Sequence, residues 1–527
     1  MGKAKEVVYF GNRLKGKYLT DDVCRKLDSL RRIDEDKNFV SDLKNIIYDL
    51  SPFDVETLIQ LKTNDGLELK KGTLSNPQTV GVAYMYFAKN LVLGDSVGMG
   101  KTVEVCGLCN LLEVERAKEG YEFRFLYLTE KTLLTQAQQD FARFTANYVE
   151  TLQGTAKPVE NFYKNNIDYI QHSVVGSHSL VNSEKFQEFL VEYERRNGCP
   201  PFDLWIVDES GDILTNSTTK TYQNAREIRQ MFDRVILLNA TPFEKDLRMF
   251  YNQIHLVDES LLPTKTAFSK EFEVMSYTGA YPVFSGKYKN EDKFREMVGY
   301  RYLARTRKGM GAKMIGCTAD VIVVPLSNEQ KGLLPKTSMS QMVYDCPSYF
   351  NLGVDTDENT TPKLRALVHQ ITGEWKDVPS ILVYSRYKEA QSCIQSTLAE
   401  YGIPAWILNG DSSQAERDEI IDGFKMGKMR VLITNVQKGL NFGNCSHCIF
   451  YSYDPNPNKM VQFEGRMTRS YDIENKHVLL LISKGKELKA FKHTIADRAK
   501  ASDVFAGSDF SCVLSILLDS GKLAELK

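Results

Sequence analysis

The sequence predicts an α/β protein built of two parallel-sheet lobes with a helical insertion between them. Short apolar runs rich in Val, Ile, Leu and Tyr, each followed by a loop and a helix-like stretch, fall at residues 91–93, 123–128, 204–207 and 235–238. Runs of this length bounded by turns fit strands buried on both faces of a parallel sheet. The same rhythm returns at 380–384, 405–408, 431–434, 448–451 and 477–482, after more than a hundred residues that read differently.

In order along the chain, residues 1–75 read as a helical preface, with charged, amphipathic stretches at 23–30 and 39–50. Residues 76–245 form the first lobe. Residues 246–360 form the helical bridge, with an amphipathic stretch at 245–256 and a basic segment at 287–313 that carries nine Lys or Arg against three acids, a net of +6. Residues 361–490 form the second lobe and 491–527 a helical tail.

The 527 residues are 42% hydrophobic and 26% charged, enough for several cores at about 150 residues each. That composition excludes disordered and collagen-like chains. With 67 basic and 68 acidic side chains the net charge is −1, so no domain is basic throughout, although a local basic groove remains compatible with it. Ten cysteines are too sparse for a disulfide framework, and no apolar run approaches the roughly 18 residues of a membrane span. The opening Met1-Gly-Lys-Ala-Lys-Glu6 lacks the apolar core of a secretory signal, and Glu6 stands where a myristoylation signal needs Ser or Thr. The expectation is a reduced, intracellular protein.

The strongest motif is Gly94-Asp-Ser-Val-Gly98-Met-Gly100-Lys101-Thr102, between the strand at 91–93 and a helix that runs on through 112. Gly98 and Gly100 allow backbone N–H groups to turn toward a polyphosphate at a helix N-terminus, Lys101 supplies a charge for the β- and γ-phosphates, and Thr102 offers its hydroxyl to Mg²⁺. Asp95 stands where the strict pattern has glycine. The apolar strand at 204–207 ends in Asp208-Glu209, 107 residues after Lys101. In register behind a phosphate loop, Asp208 would hold Mg²⁺ and Glu209 would polarise the attacking water. Arg466 and Arg469 lie three apart on one helical face, a spacing suited to stabilising a transferring phosphoryl group. Two Cys-x-x-Cys pairs, Cys106/Cys109 and Cys445/Cys448, read as small core residues rather than zinc ligands.

Together these residues resemble a superfamily 2 helicase-like motor and, more closely, the SWI/SNF-type ATPases that translocate on double-stranded DNA. The resemblance covers roughly residues 75–475. Pro77-Gln78 matches the family's element ahead of the phosphate loop, which implies Gln78 as an adenine contact; Asp95 matches the family's own loop. The run from Phe125 through Thr129 to Gln136 and the run Val174-Val-Gly-Ser177 resemble loops that touch the DNA backbone. Asn239-Ala-Thr241-Pro242 implies a coupling role for Thr241, and the run Thr434-Asn-Val-Gln-Lys-Gly439 one for Gly439. Tyr302-Leu-Ala-Arg305-Thr-Arg307-Lys308 resembles the family's bridge between lobes, and Ile381-Leu-Val-Tyr-Ser385 belongs to the second-lobe matches.

The resemblance implies two RecA-like lobes, ATP and Mg²⁺ as cofactors, and DNA contacts at Thr129, Ser177, Arg305, Arg307, Lys308, Ser385 and Thr434, with Arg301 also in the basic segment. The implied function is a DNA-dependent ATPase that translocates on double-stranded DNA without regard to sequence and remodels or displaces DNA-bound protein or branched DNA. A strand-separating superfamily 2 helicase and a non-catalytic DNA- or polymerase-binding clamp stand as alternatives. The expected protein is a monomer without membrane association, in the cytoplasm or nucleoid of a bacterium or in a host cell if viral, with RNA polymerase or another DNA-bound protein as its load. Two departures stand out: Ser210-Gly211 replaces the usual Ala-His after the acidic pair, and Asp454-Pro455-Asn456-Pro457 replaces Trp-Asn-Pro.

Overall fold

A computed structural model of the chain describes residues 19–33, 38–47, 74–95, 98–214, 216–240, 247–261, 264–278, 281–305, 316–346, 361–436, 442, 445–454, 460, 463 and 475–493. It divides into two compact units, Met1–Thr306 and Arg307–Lys527.

The first unit holds a seven-stranded sheet of β1 (Asn90–Leu93), β2 (Phe125–Thr129), β3 (Val149–Leu152), β4 (Ser173–Ser177), β5 (Leu204–Val207), β6 (Arg234–Leu238) and β9 (Tyr302–Leu303), and a separate antiparallel hairpin of β7 (Glu273–Thr278) and β8 (Tyr281–Tyr288). The sheet order is β3-β4-β2-β5-β6-β1-β9, and every pairing is parallel. All four residues of β5 are buried, as an apolar run covered on both faces requires. Strands β3 and β4 escape the apolar pattern for identifiable reasons. β3 exposes Thr151 and half-exposes Glu150, while β4 buries Ser173 by letting its Oγ accept the Phe125 N–H at 3.1 Å.

The helices of this unit are α1 (Asp21–Arg32), α2 (Phe39–Ile47), α3 (Asn76–Ala88), α4 (Lys101–Lys118), α5 (Leu134–Phe144), α6 (Ala156–Asn166), α7 (Glu184–Asn197), α8 (Lys220–Arg229), α9 (Leu247–Val257), α10 (Lys265–Phe272) and α11 (Glu291–Val298). Helix α3 begins in a capping box between Ser75 and Gln78 with Pro77 in its first turn, a combination worth about 1 kcal/mol. The described part of the preface packs into the lobe: Leu27, Leu30, Phe39, Leu43 and Ile47 share one core with Leu91, Tyr127 and Ile206. Each such side chain contributes roughly 1.5–3 kcal/mol on burial. Arg31 reinforces the junction, donating to the Tyr302 carbonyl at 2.7 Å with its guanidinium over the Tyr84 ring.

The second unit holds β10 (Gly316–Val324), β11 (Ile381–Tyr384), β12 (Ala405–Leu408), β13 (Val431–Thr434), β14 (His447–Phe450) and β15 (Asn475–Ser483), in the order β10-β15-β14-β11-β13-β12 and again parallel throughout. Its helices are α12 (Asn328–Leu333), α13 (Ser340–Asp345), α14 (Pro362–Thr372), α15 (Lys388–Glu400) and α16 (Gln414–Lys425). Strand alternation divides the core in two: Leu382 and Tyr384 pack into one apolar cluster, Ile381 and Val383 into the other.

The interval at 246–360 is only partly helical. It also contributes the hairpin β7–β8, strand β9 of the first sheet and strand β10 of the second, because its Val and Tyr residues fall in period-two or continuous apolar runs.

Candidate active site

In the first sheet β6 lies between β1 and β5, pairing Leu93 with Leu238 and Val207 with Leu237. The C-terminal ends of the three strands therefore finish nearly level, and the phosphate loop, the acidic pair and Asn239 emerge side by side. The crevice outside the carboxyl ends of strands is where open parallel sheets bind ligands.

Beyond β1, Gly98 and Gly100 adopt φ of 82° and 86°, left-handed conformations that glycine takes at no steric cost. Gly100 is the N-cap of α4, so Lys101 and Thr102 stand in the first turn of an 18-residue helix, a position suited to an anion. Lys101 Nζ donates to the Asp95 carbonyl at 2.7 Å across the loop. Gln78 braces the loop from α3: its Oε1 accepts the Ser75 N–H at 3.1 Å and its Nε2 donates to the Met99 carbonyl at 3.3 Å.

Beyond β5, Asp208 and Glu209 are half-buried. The Asp208 N–H donates to the Leu128 carbonyl at 2.8 Å, and Asp208 Oδ1 accepts the Glu209 N–H at 3.0 Å. Glu209 itself takes φ 47°, ψ 47°, a left-handed conformation that costs a residue with a Cβ about 1–2 kcal/mol. His178 Nε2 donates to the Asp208 carbonyl at 2.7 Å, and burial holds this imidazole below its usual value, in the neutral form. Tyr127 is buried in β2, where burial, then the nearby Asp208 charge, pushes its phenol far above the usual value. Tyr127 and His178 were not singled out by the sequence, because a tyrosine in an apolar strand and a histidine opening a single 3-10 turn after β4 carry no periodic cue.

Arg305 departs from the exposed position expected of it: its guanidinium is mostly buried in the first unit, where its backbone N–H and Nε donate to Asp95 Oδ1 at 2.9 and 3.1 Å and Nη2 donates to Glu104 Oε1 and Oε2 at 2.8 and 2.6 Å. Nη2 also donates to Asp95 Oδ2 and Nη1 to the Pro77 carbonyl. Asp95 and Glu104 are both fully buried. Burial lowers the guanidinium's affinity for its proton, but Glu104 and Asp95 more than offset it and hold the proton firmly. Burial also raises the Glu104 carboxyl well above the usual range, against the pull of Arg305.

The basic segment is likewise less free than its +6 suggests. Arg301 is buried against Asp258 and the Ala88 carbonyl, Lys293 pairs with Glu271, and Arg295 with Asp292. Four hydroxyls expected on a nucleic-acid face are buried instead: Thr129, Ser177, Ser385 and Thr434. Ser177 Oγ accepts the Gly154 N–H at 2.8 Å, tying the end of β4 to the chain just after β3, and Thr434 Oγ1 accepts the Val436 N–H at 3.0 Å, closing a local turn after β13. Thr241, Arg307, Lys308, Gly439, Arg466 and Arg469 lie outside the described residues. Cys106 and Cys109 are buried core residues of α4, and burial raises both thiols well above the usual value.

The family model described as SNF2-related domain matches residues 54–349, and that of the helicase conserved C-terminal domain matches residues 362–471. The chain is 22% identical over 447 residues to the uncharacterized ATP-dependent helicase YqhH of Bacillus subtilis, covering 77% of this chain and 73% of that protein. It is 21% identical over 470 residues to the human DNA repair and recombination protein RAD54B, covering 75% of this chain and 50% of that one. It is 21% identical over 437 residues to the RNA polymerase-associated protein RapA of Pseudomonas syringae pv. syringae, covering 75% and 44%. The chain thus spans half or less of the latter two relatives. Among solved structures, the SWI2/SNF2 ATPase core of Sulfolobus solfataricus in complex with dsDNA aligns over 85% of this chain and 96% of its own, at 16% identity and a TM-score of 0.38.

Proposed function

This chain belongs to the SNF2-related family and is an ATP-hydrolysing enzyme of two RecA-like lobes, and from that premise we propose that it is a DNA-dependent ATPase that translocates on double-stranded DNA and remodels or displaces what is bound there. The observation that carries the catalytic part is that the phosphate loop and the Asp208–Glu209 turn emerge side by side at the level ends of β1 and β5, with Thr102 in the first turn of α4 and Asp208 Oδ1 accepting the Glu209 N–H. A hydroxyl and a carboxylate are hard oxygen donors, and two of them suffice for Mg²⁺, which keeps several waters and takes further ligands from substrate phosphates. When bound, the ion neutralises charge on those phosphates.

In this reading the N–H groups of the loop and Lys101 bind the β- and γ-phosphates of ATP, with Gln78 on the adenine side. Thr102 and Asp208 hold Mg²⁺. Glu209 orients and polarises the attacking water, and Arg466 with Arg469 stabilises the charge of the transferring phosphoryl group. Thr241 and Gly439 couple hydrolysis to movement. Sequence-independent duplex DNA is the substrate track, held through phosphates, and RNA polymerase or another DNA-bound protein is the load; the names of RapA and RAD54B support work at such targets. An intracellular, monomeric protein fits this role. Among the described residues no helix is long and apolar enough to cross a membrane.

The test is ATP turnover with and without duplex DNA, beside triplex displacement and forked-duplex unwinding. The expected result is DNA-stimulated turnover with triplex displacement. Glu209→Gln should bind ATP yet turn it over at least about a hundredfold more slowly. Unwinding of forks without triplex displacement would replace the translocase with a strand-separating helicase, and wild-type turnover in Glu209→Gln would remove Glu209 from its role.

A further inference from the structure

The turn after β5 has to be held, because Glu209 sits in a backbone conformation that side chains rarely adopt. His178 secures the turn on one side through the Asp208 carbonyl. On the other side the Ser210 hydroxyl donates to Gln253 Oε1 at 2.9 Å, and the same oxygen accepts Asn239 Nδ2 at 3.0 Å. Ser210, Gln253 and Asn239 are all buried. An amide oxygen has two acceptor sites, and this one joins two donors from different strand ends. Gln253 Nε2 donates to the Met249 carbonyl within α9 at 3.4 Å, which orients the amide. Asn239 carries the connection further, since its backbone N–H donates to the carbonyl of Leu93, the last residue of β1 before the phosphate loop.

Gly211 fits the same arrangement sterically. A Cβ at Gly211 would lie 2.7 Å from Asn239 Nδ2, closer than such atoms approach. The Asn239 amide therefore occupies the space beside position 211, where the sequence departs from the usual histidine. Gly211 and Asn239 form a matched pair, and Gln253 is the hub that ties Asn239 to the acidic turn.

We propose that Gln253 is a positioning residue for ATP hydrolysis: through Ser210 it holds the turn that presents Glu209, and through Asn239 it joins that turn to the ends of β6 and β1. The inference rests on the assignment of Glu209 as the residue that orients water. Removing the shared acceptor leaves the phosphate loop and its lysine in place, so nucleotide binding survives while the carboxylate loses its orientation.

Steady-state ATP turnover of the full chain tests this with Ser210→Ala, Gln253→Leu and the double variant, each checked for folding by its thermal midpoint. Ser210→Ala, which only deletes an oxygen, should lower kcat about tenfold and leave the KM for ATP within about twofold; Gln253→Leu should lower kcat about ten- to a hundredfold. The double variant should be no slower than Gln253→Leu alone, because both changes cut one path. Gly211→Ala should also slow turnover, and adding Asn239→Ala should restore more than half of that loss by opening the space. Independent, multiplicative losses for Ser210 and Gln253, a raised KM with unchanged kcat, or a harmless Gly211→Ala would each overturn the proposal. Wild-type turnover in Glu209→Gln would instead overturn the assignment beneath it, and the rescue of Gly211→Ala by Asn239→Ala in the thermal midpoint would still report the steric pairing.

Discussion

Among the described residues, each of the two units holds a cation between two buried carboxylates, and the two clusters differ in what their backbones belong to. In the first, Arg305 joins Asp95 of the phosphate loop, Glu104 in the first turn of α4 and the Pro77 carbonyl beside Gln78. In the second, Lys363 Nζ donates to Asp345 Oδ1 at 2.9 Å and Glu487 Oε1 at 2.8 Å. Glu487 is shared further with Gln341 at 2.7 Å and the Ser483 N–H. Burial raises the Asp345 carboxyl, as it raises that of Glu104. The cation types suit their tasks: a planar fork with five donors holds three elements of a nucleotide site at once, whereas a compact ammonium pins two carboxylates near the start of α14 and the end of β15. One stoichiometry thus ties the phosphate loop to α3 and α4 in the first unit and α13, α14 and the chain after β15 to one another in the second.

Deleting the cations is the strongest test of that contrast. Arg305→Ala and Lys363→Ala should each cost about 3–5 kcal/mol, since either leaves two carboxylates buried together, and lower the thermal midpoint by on the order of 10 °C. Only Arg305→Ala should also weaken binding of a non-hydrolysable ATP analogue, by about tenfold or more, read as lost ligand-induced stabilisation in calorimetry. Equal retention of analogue binding in both variants would reduce the Arg305 cluster to a rivet like its counterpart.

Exchanging the cations gives a smaller and more diagnostic effect. Lysine at 305 gathers its three donors on one nitrogen and cannot span Pro77, Asp95 and Glu104 as the fork of Nε, Nη1 and Nη2 does, and each charged hydrogen bond lost costs roughly 1.5–3 kcal/mol. Arginine at 363 keeps both carboxylates and meets mainly the overpacking cost, about 1–3 kcal/mol. Arg305→Lys should therefore weaken the ATP analogue as well as the fold, and Lys363→Arg only the fold. Analogue affinity measured by isothermal calorimetry decides between them, and a loss confined to Lys363→Arg would invert the comparison.

These two clusters also mark where sequence reading reaches its limit. Strands β1, β5, β6, β11 and β13 were legible because burial on both faces forces continuous apolar runs, and Lys101, Thr102, Asp208 and Glu209 because their chemistry fixes local spacing. Strand β9 is only two residues long, and β4 hides three polar or small residues whose hydrogen bonds come from neighbours. Arg305 reads as a surface residue within a basic run, since its carboxylate partners lie more than 200 positions earlier. Gln253 is equally silent: its partners are 14 and 43 positions away, and nothing in a helix sequence reports what a buried amide accepts.

A histidine in each unit provides the mildest contrast. His178 is held neutral by burial while it supports the acidic turn; His447 of β14 stacks on His477 with ring centroids 4.6 Å apart and meets the Trp375 ring edge-on at 4.7 Å. Burial, then repulsion from His477, pushes His447 down from 6.5 to about 4. A depressed histidine binds fewer protons folded than unfolded between those values, so its contribution is complete above about pH 6.5 and is lost as the pH falls toward 4. A shift of that size corresponds to at most about 3 kcal/mol, and half-exposure reduces it to roughly 1–2 kcal/mol. His447→Gln should therefore flatten the fall of the thermal midpoint between pH 6.5 and 4 while leaving ATP turnover at neutral pH unchanged. His178→Gln should lower turnover at neutral pH, because its ring bears on the Asp208 carbonyl. An unchanged acid slope in His447→Gln would place the acid sensitivity elsewhere, and a turnover loss in that variant would erase the distinction between a supporting histidine and a packing one.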